Sequence, residues 1–298
     1  MAGILNQANW SYFVQKDLSH HFATEYTEFE SMIPALFTPK EPDQAIVYEV
    51  LTGDLGAVEV FDGEIAYDES KQSYRKSVEE VEYALGVKVT KKLRRNDLYG
   101  IVQGQVRKLA QRFRAKRESI AADIFNGAFG VTTVADTLPL CDDAHTSDVG
   151  GSNQDNEGTS AFSPANVEAT RRLMIQFKSN RDNITTTFPD LLLLPTNLEE
   201  QGYELIKSKG KVDTAQNNAN FHEGKYKMAV WHNWLTDTNN WFMINSKLMK
   251  EYLSFYEWNP VEFFYAGEFD TLTSKHAGYC SVNVSAVDWR FVFGHAVS

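Results

Sequence analysis

The most regular pattern of apolar and polar positions in this chain predicts one long helix from Asp97 to about Phe125. Asn96 or Asp97 can cap its start, and Asn126 followed by Gly127 favours its end. At about 1.5 Å per residue the helix would be about 44 Å long. Its apolar stripe, with a period of 3.6 residues, consists of Leu98, Ile101, Val102, Leu109, Phe113, Ile120 and Ile124.

Two glycines in this segment, Gly100 and Gly104, lie on a different face from the stripe. Each costs roughly 1 kcal/mol of helix propensity relative to Ala. Close packing of a neighbouring backbone is the interpretation that we favour, and a hinge is the alternative.

Upstream of the helix the pattern changes twice. Residues 1–45 have little core of their own and are expected to form an N-terminal arm. Strand-like runs at Ala45–Leu51, Ala57–Phe61 and Ser73–Val89, separated by glycines, predict a long charged hairpin over residues 46–90. A two-stranded hairpin is only marginally stable alone in water, so we expect it to lie against a partner surface. The arm's apolar residues at helical spacing are Trp10, Phe13, Val14, Leu18 and Phe22.

Downstream of the helix, a polar loop over Leu138–Pro164 is followed by signs of a mixed α/β unit. Ser163 and Pro164 form a helix start signal. The run Phe188–Pro195 is typical of a short buried strand, and a helix is expected at Asn197–Lys207. Two aromatic-rich runs flanking a polar turn, Met228–Leu235 and Trp241–Asn245, predict a hairpin.

Charge is distributed very unevenly along the chain. Between Lys88 and Arg117 there are eleven of the 29 Lys and Arg residues and a single acid, Asp97, so this segment carries +10. The remaining 18 bases and 39 acids sum to −21. A charged face on a long helix is usually exposed to solvent. Such a helix would have acids placed among its bases, but no Asp or Glu occurs between Leu98 and Arg117. The compensating charge therefore comes from another segment, another copy or an anionic polymer.

Size and composition narrow the class of protein. The 298 residues, 43% of them hydrophobic, can bury a substantial core. No apolar run approaches the roughly 18 residues that span a membrane, and Met1–Gln15 lacks the pattern of a signal peptide. Two distant cysteines, Cys141 and Cys280, suggest reduced thiols in a cytosol. We expect no cofactor and no membrane partner.

The best candidate for catalysis is a group of carboxylates and an imidazole in the polar loop, formed by Asp142, Asp143, His145 and Asp148. These residue types can bind a divalent metal ion. They are also what a solvated loop contains, and we favour that interpretation, so the expected site has no metal and the protein is expected not to be an enzyme. Sequence motifs for nucleotide binding, for a nucleophilic serine and for zinc proteases are absent.

The order of these segments, and several short motifs, resemble the major capsid protein of tailed bacteriophages, the Hong Kong 97-type fold. The likeness to the major head subunit of Mu-like phages and prophages is closer and covers roughly residues 90–298. The motifs that carry it are Leu140–His145, the Asn166–Phe177 helix, Leu191–Pro195 followed by Leu198 and Glu199, Trp241 with Phe242, and Trp289 with Arg290.

This resemblance implies an α+β capsid fold with an N-terminal arm (1–45), an extended β-hairpin loop (46–90) and a peripheral domain (91–140). Residues 97–125 would be the spine helix of the peripheral domain. Residues 141–245 would form mainly the axial α/β domain, and residues 246–298 a β-rich return through both domains. Such subunits form pentamers and hexamers of an icosahedral shell around packaged double-stranded DNA, in the virion and, during assembly, in the bacterial cytoplasm.

Two sets of residues follow as candidate contacts. In the first, acids of the hairpin would pair with bases of a neighbouring subunit, and the residues are Glu59, Asp62, Glu64, Asp68, Lys91, Lys92, Arg94 and Arg95. In the second, bases of the spine helix would face the packaged DNA, and these are Arg107, Arg112, Arg114, Lys116 and Arg117. The short arm leaves little room for a cleaved scaffolding segment, so a separate scaffolding protein and the portal are the other expected partners.

Two alternatives remain open. An encapsulin-like shell that encloses cargo enzymes has the same fold and would need a pocket for a cargo peptide. A metal-dependent enzyme would use the loop of Asp142, Asp143 and His145.

Overall fold

The structure of the protein is a computed structural model that describes residues 20–297. Residues 21, 25–30, 57, 59, 62, 64, 66, 69–71, 96–99, 148–149, 211–218 and 269 are left out of that description. The fold is α+β, as the sequence predicts, and the strands within the described residues form three sheets.

The helices whose bounds lie within the described residues are α1 (Ile33–Leu36), α2 (Lys91–Arg95), α3 (Ile101–Asn126), α4 (Pro164–Ile175), α5 (Glu199–Lys207) and α6 (Ser246–Tyr252). The strands are β1 (Thr38–Lys40), β2 (Ile46–Thr52), β3 (Gln72–Glu79), β4 (Glu82–Thr90), β5 (Glu157–Gly158), β6 (Leu191–Leu194), β7 (Lys227–Val230), β8 (Trp241–Ile244), β9 (Leu253–Glu268), β10 (Thr273–Ala286) and β11 (Val292–His295).

A four-stranded sheet in the order β1-β9-β10-β4 packs against the first half of α3. The long strands β9 and β10 are antiparallel, and β4 runs antiparallel to β10 on its other side. Alternate residues of β10 face the helix, and Gly278 lies so close to it that a Cβ there would be 2.4 Å from the Phe113 ring. A small core of Val102, Val106, Leu109, Phe113 and Cys280 lies between the two layers.

The larger core surrounds a five-stranded sheet in the order β5-β11-β8-β6-β7. Its inner strand β6, between β8 and β7, is the run Leu191–Leu194, and all four leucines are buried, as expected for a strand covered on both faces. The second half of α3 packs into this core through Ile120, Ile124 and Phe125. The long helix therefore joins the two sheets into one body.

The third sheet is the antiparallel pair β2 and β3, which confirms a hairpin in this part of the chain. Its extent differs from the prediction. The predicted strand Ser73–Val89 is broken at Glu80 and Val81, and β4 beyond the break pairs with β10 instead of β2. Of the predicted strand Ala57–Phe61, the described residues Val58, Val60 and Phe61 are not in a strand.

Two other sequence predictions are wrong. Strands β7 and β8 do not form a hairpin, because β6 lies between them, parallel to β7 and antiparallel to β8. Neither Gly100 nor Gly104 is a site of close backbone packing within the described part of the subunit: a Cβ on Gly104 would meet nothing within 4 Å, and one on Gly100 only the Gln103 side chain, at 3.6 Å. Gly100 precedes the first residue of the helix with a left-handed φ of 67°.

The remaining helix predictions are largely confirmed. The Ser163 hydroxyl accepts a hydrogen bond from the main-chain N–H of Asn166 at 3.3 Å and so caps α4. The helix expected at Asn197–Lys207 is a 3-10 turn at Thr196–Leu198 that continues into α5. None of the helices in the described part of the chain is long and apolar enough to span a membrane.

Most of the predicted arm, including Trp10 and Leu18, lies outside the described residues. Phe22 is described, is 4% exposed and packs against Phe263 with ring centroids 5.2 Å apart. The proposed domain boundaries stay predictions.

Candidate assembly surfaces

The basic residues of α3 fall into two groups. Arg107, Lys108, Arg112 and Lys116 are exposed. Lys116 lies over the ring of Tyr83, 5.0 Å from its centroid. Ion pairs between the described residues involve none of these four bases, so within this part of the chain the exposed side of the helix presents positive charge without a carboxylate partner.

Arg117 is bound within the subunit. Its guanidinium donates to both carboxylate oxygens of Glu257 on β9, at 2.7 and 3.1 Å, and lies 5.2 Å from the centroid of the Phe255 ring. Both side chains of the pair are less than one-fifth exposed. A bidentate pair in this position fixes α3 on the sheet. Arg114 is also half-buried, so Arg107, Arg112 and Lys116 are the members of the predicted DNA-facing set that solvent reaches most freely.

A buried acid in the same helix was missed by the sequence analysis. Glu118 is 5% exposed and accepts hydrogen bonds from the Trp231 indole, at 3.1 Å, and from the Ser31 hydroxyl. It thereby ties the segment before α1 and the larger core to α3. In the sequence Glu118 only follows the basic run, and nothing there distinguishes it from a solvated residue.

The predicted basic partner of the hairpin lies in α2, directly between β4 and α3. Lys91, Lys92 and Arg95 are exposed, and the side chain of Arg94 is not described. The main-chain N–H of Lys91 donates to the carbonyl of Leu272 in the β9–β10 turn, at 3.0 Å. The basic cluster is therefore held at the end of the four-stranded sheet.

The predicted acidic partners are placed only in part. Glu59, Asp62 and Glu64 lie outside the described residues. Asp68 is described, and its Oδ2 accepts a hydrogen bond from Arg181 Nη1 of the same subunit at 2.5 Å. The structure thus brings Asp68 to an arginine that the sequence analysis did not single out.

The segment between β2 and β3 also exposes apolar side chains to an unusual degree. Val58, Val60 and Tyr67 are 102%, 94% and 89% exposed, and Phe61 and Ile65 are more than half exposed. Scattered exposed apolar residues are normal, but a group of this kind on one extended segment marks an interaction surface.

At its base, the hairpin is joined to the body by a buried carboxylate. Glu49 of β2 is 7% exposed, and it accepts hydrogen bonds from the hydroxyls of Tyr256 at 2.5 Å and Ser285 at 2.6 Å. Lys40 Nζ lies 3.4 Å from the same carboxylate. Burial, followed by the hydrogen bond to Glu49, raises the pKa of Tyr256, so the phenol stays a donor.

The second strand of the hairpin is joined to the body through Lys76. Its Nζ donates to the main-chain carbonyls of Thr133 at 2.6 Å and Ala286 at 3.1 Å. Burial lowers the pKa of Lys76 from its ordinary value, and the nearby Glu49 opposes this effect. Both strands of the hairpin are therefore attached to the body by polar groups at their base.

The loop that could have held a metal ion is organised around a histidine that is already fully bonded. Asn156 donates through Nδ2 to two main-chain carbonyls, so its Oδ1 faces His145 Nε2 at 3.1 Å and that nitrogen donates. Nδ1 of His145 lies 2.7 Å from Asp136 Oδ2, and the ring stacks on Trp289. Both ring nitrogens thus face oxygen atoms of the protein itself.

The carboxylates of this loop have structural tasks too. Asp142 Oδ1 accepts from the main-chain N–H of Ala144 at 2.9 Å, and Asp148 lies outside the described residues. The described part of the chain contains no group of three His, Cys, Asp or Glu residues placed to hold a metal ion. The arrangement gives the alternative of a metal-dependent enzyme no support.

The subunit thus combines a long helix on a four-stranded sheet, a compact α/β layer and a hairpin bonded to the body at its base. A family model described as phage capsid protein matches residues 74–294. The match covers more than half of the chain, which therefore belongs to the phage capsid protein family. This is a structural protein of a virion capsid.

Solved capsids have the same fold. The capsid of Ralstonia phage GP4 matches with a TM-score of 0.61 at 11% identity, over 88% of this chain and 87% of that chain. The decorated capsid of bacteriophage JBD30 matches with a TM-score of 0.59 at 11% identity, over 70% and 92%. A virus-like particle from Pyrococcus furiosus matches with a TM-score of 0.57 at 9% identity, over 94% and 98%. No curated protein matches the sequence.

Proposed function

We propose that this chain is the major head subunit of a tailed phage or prophage and assembles into pentamers and hexamers of an icosahedral shell around packaged double-stranded DNA. The family match over residues 74–294 carries the proposal. The motifs Leu140–His145 and Trp241 with Phe242 favour a Mu-like head. Assembly takes place in the host cytoplasm, with a separate scaffolding protein and a portal.

Electron microscopy of the purified protein, expressed alone and with the neighbouring genes, tests this function. We expect closed shells or rings of five and six subunits. A monomer or small oligomer under both conditions would contradict the proposal. Nuclease-resistant DNA inside particles made during infection or prophage induction would support a phage head, and a co-purifying enzyme in place of DNA would favour the encapsulin-like alternative.

Charge pairing between neighbouring copies is the second element of the proposal. Acids of the hairpin (Glu59, Asp62 and Glu64) pair with bases at the end of the sheet (Lys91, Lys92, Arg94 and Arg95), whereas Asp68, the fourth acid of the predicted set, is bound to Arg181 of its own subunit. The exposure of the described bases Lys91, Lys92 and Arg95 supports this arrangement. Each exposed pair contributes only about 0–1 kcal/mol, but a closed shell repeats it at every equivalent contact. Weak repeated contacts also let a misplaced subunit dissociate.

Charge reversal tests the pairing. Glu59→Lys combined with Asp62→Lys should impair assembly and leave the subunit folded, as judged by circular dichroism. Adding Lys91→Glu and Lys92→Glu to the same chain should restore shells, because opposite charges then meet again. Normal shells from the first variant would show that these acids do not pair across subunits.

The basic face of α3 is proposed to contact packaged DNA without sequence preference. Arg107, Arg112 and Lys116 are exposed on it, whereas Arg114 is half-buried and Arg117 is bound to Glu257. Contacts to phosphates weaken as salt rises because they release counterions. Filled particles of an Arg107→Gln, Arg112→Gln variant should lose DNA at lower salt or temperature than wild-type particles, and unchanged DNA retention would contradict this role.

A further inference from the structure

The polar loop between α3 and β5 is closed by a buried group of polar side chains that the proposed function does not use. The group consists of Asp136, His145 and Asn156, which are 9%, 1% and 0% exposed. Burying polar side chains costs free energy unless their donors meet acceptors. The hydrogen atoms of this group can therefore be assigned from its contacts.

The orientation of Asn156 is fixed by the main chain. Its Nδ2 donates to the carbonyls of Leu140 and Val292, at 2.9 and 3.1 Å. Its Oδ1 accepts from the main-chain N–H of Asp142 at 2.9 Å. Exchanging the two atoms would set donor against donor and oxygen against two carbonyl oxygens. The Oδ1 atom lies 3.1 Å from His145 Nε2 and is an acceptor, so Nε2 carries a proton.

The contact of the other ring nitrogen also requires a proton. His145 Nδ1 lies 2.7 Å from Asp136 Oδ2, while Asp136 Oδ1 accepts from the main-chain N–H of Leu138 at 3.0 Å. At this distance a carboxylate oxygen and a bare ring nitrogen would present lone pairs to each other. One proton therefore lies between Nδ1 and Oδ2, in addition to the proton on Nε2. The pair holds one proton more than a carboxylate and a neutral imidazole together.

The turn that carries Asp136 is held in an unfavourable conformation. Thr137 is β-branched and has a left-handed φ of 70°. The main-chain N–H of Val134 donates to the carbonyl of Leu138 at 2.9 Å, and the Leu138 N–H donates to Asp136. Residues in such conformations persist only where the surrounding structure holds them. Loss of the bond between Asp136 and His145 would therefore let the turn change its conformation.

The charged groups around the ring include more acids than bases. They are Asp142, Asp143 and Asp155 on the loop side and, beyond the stacked ring of Trp289, the ion pair of Asp288 and Arg290. Burial raises the pKa of Asp155, and the nearby His145 opposes this effect. An environment rich in acids favours the form of the pair that carries the additional proton.

We propose that Asp136 and His145 form a pH-sensitive clasp, which closes the loop while the proton between them is present and opens it when that proton is released to solvent. Without the proton, a buried oxygen and a buried nitrogen face each other with no hydrogen atom between them. His145 and Gln154 also exchange two main-chain hydrogen bonds across the loop, at 2.9 and 3.1 Å, so opening the clasp loosens this bridge as well. The clasp belongs to the fold of the single subunit, so the inference does not depend on the proposed function.

Asp136→Asn tests the clasp, because it can keep every bond without the additional proton. The new Oδ1 can accept from the Leu138 N–H as before, and the new Nδ2 can donate to His145 Nδ1. Nε2 of His145 still donates to Asn156. The loop of this variant is therefore closed by a neutral imidazole, and its opening releases no proton.

Asp237→Asn is the matched control. Asp237 is exposed in the turn before β8, and its Oδ1 accepts from the main-chain N–H groups of Asn239 and Asn240, at 2.8 and 3.0 Å. The control removes the same charge from a bonded turn outside the loop. Circular dichroism should show that both variants are folded.

Amide hydrogen exchange of residues 141–147 and 150–156, corrected for the pH dependence of exchange in an unfolded chain, measures the opening of the loop. An unpaired histidine is neutral above about pH 6.5, so each opening then releases one proton, and protection should fall about tenfold per pH unit. The loop is thus most stable below this pH and loses stability as the pH rises. This slope is expected in the wild type and in Asp237→Asn, whereas the profile of Asp136→Asn should be flat.

A flat wild-type profile would overturn the inference, and so would a profile of Asp136→Asn that falls as steeply as that of the wild type. If Asp136→Asn does not fold, the wild-type slope decides alone. Calorimetry in buffers of different ionisation enthalpy counts the protons released on unfolding. At about pH 8, unfolding of the wild type should release about one proton more than unfolding of Asp136→Asn, and equal release would contradict the clasp.

Discussion

Removing one hydroxyl from Tyr256 should loosen the base of the hairpin. The Tyr256 hydroxyl donates to a carboxylate oxygen of Glu49 that is buried with it, and Tyr256 itself is 1% exposed. A hydrogen bond to a charged group is worth about 1.5–3 kcal/mol, and removing the donor leaves a buried carboxylate oxygen less well satisfied. We therefore expect Tyr256→Phe to lower the free energy of unfolding by about 2–3 kcal/mol.

The chain contains a matched control for this change. Tyr226 is 5% exposed, and its hydroxyl is buried without a hydrogen-bond partner among the described residues. Burial raises the pKa of Tyr226 to about 12. Tyr226→Phe removes the same atom but breaks no such bond, so the change should be neutral or should stabilise the fold by up to about 1 kcal/mol.

Urea unfolding of the dispersed subunit measures both variants, and amide hydrogen exchange shows where the change lies. In Tyr256→Phe, hydrogen exchange of the amides in β2 and β3 should rise more than that of the amides in β6. Glu49 lies in β2, whereas β6 belongs to a different sheet. If Tyr256→Phe costs no more than Tyr226→Phe, then Glu49 does not hold the hairpin. An equal rise of hydrogen exchange in all sheets would show that the bond between Tyr256 and Glu49 does not act locally on the hairpin.

Three further predictions concern the body of the subunit. Gly104→Ala should raise the free energy of unfolding by about 1 kcal/mol, because a Cβ there meets nothing within 4 Å, whereas Gly100→Ala should lower it because its φ is 67°. Gly278→Ala should cost about 1–3 kcal/mol in urea unfolding through overlap with Phe113, and Phe113→Leu in the same chain should recover part of that loss. Burial lowers the pKa of His295 to about 4, below the value of about 6.5 in the unfolded chain. The corresponding stabilisation of about 3 kcal/mol is therefore present above pH 6.5 and is lost as the pH falls towards 4. Thermal unfolding of His295→Gln across this range should depend less on pH than that of the wild-type protein.

The elements that the sequence reveals are those whose signal is local. The apolar stripe of α3 recurs every turn, so Val102, Leu109 and Phe113 are correctly predicted as buried. The start of the same helix is not predictable from the sequence. Gly100 has a left-handed conformation before the first described turn, and the sequence does not distinguish such a glycine from one within a helix. The four leucines of β6 predict a buried strand because no polar residue interrupts them.

Pairing between distant segments leaves no comparable signal. Strands β7 and β8 are near each other in sequence and have a polar turn between them, which favours a hairpin, yet β6 takes the position between them. The pattern over residues 73–89 continues through Glu80 and Val81 without a Gly or Pro, although its halves join different sheets. The local pattern of apolar and polar residues does not show which strands pair in either case.

For the candidate surfaces, the sequence predicts which residues are charged but not which residues they contact. An acid such as Glu49 in an alternating strand is expected to face solvent, and its burial depends on Tyr256 and Ser285, more than 200 residues away. The valines at positions 58 and 60 predict a strand that buries them, whereas both are exposed. At these two places the residue type predicts the wrong degree of burial, because burial there is set by tertiary structure.

The subunit separates its charges by location. Buried or half-buried acids such as Glu49, Glu118 and Glu257 are bonded to fixed partners and join α3 and the hairpin to the body. The exposed bases of α2 and α3 have no carboxylate partner among the described ion pairs. At physiological salt, interactions between exposed charges more than about 8–10 Å apart are largely screened, whereas buried pairs are screened much less. Ionic strength is therefore expected to change the proposed contacts of the exposed bases while the fold of the subunit stays intact, as the proposed assembly from folded subunits requires.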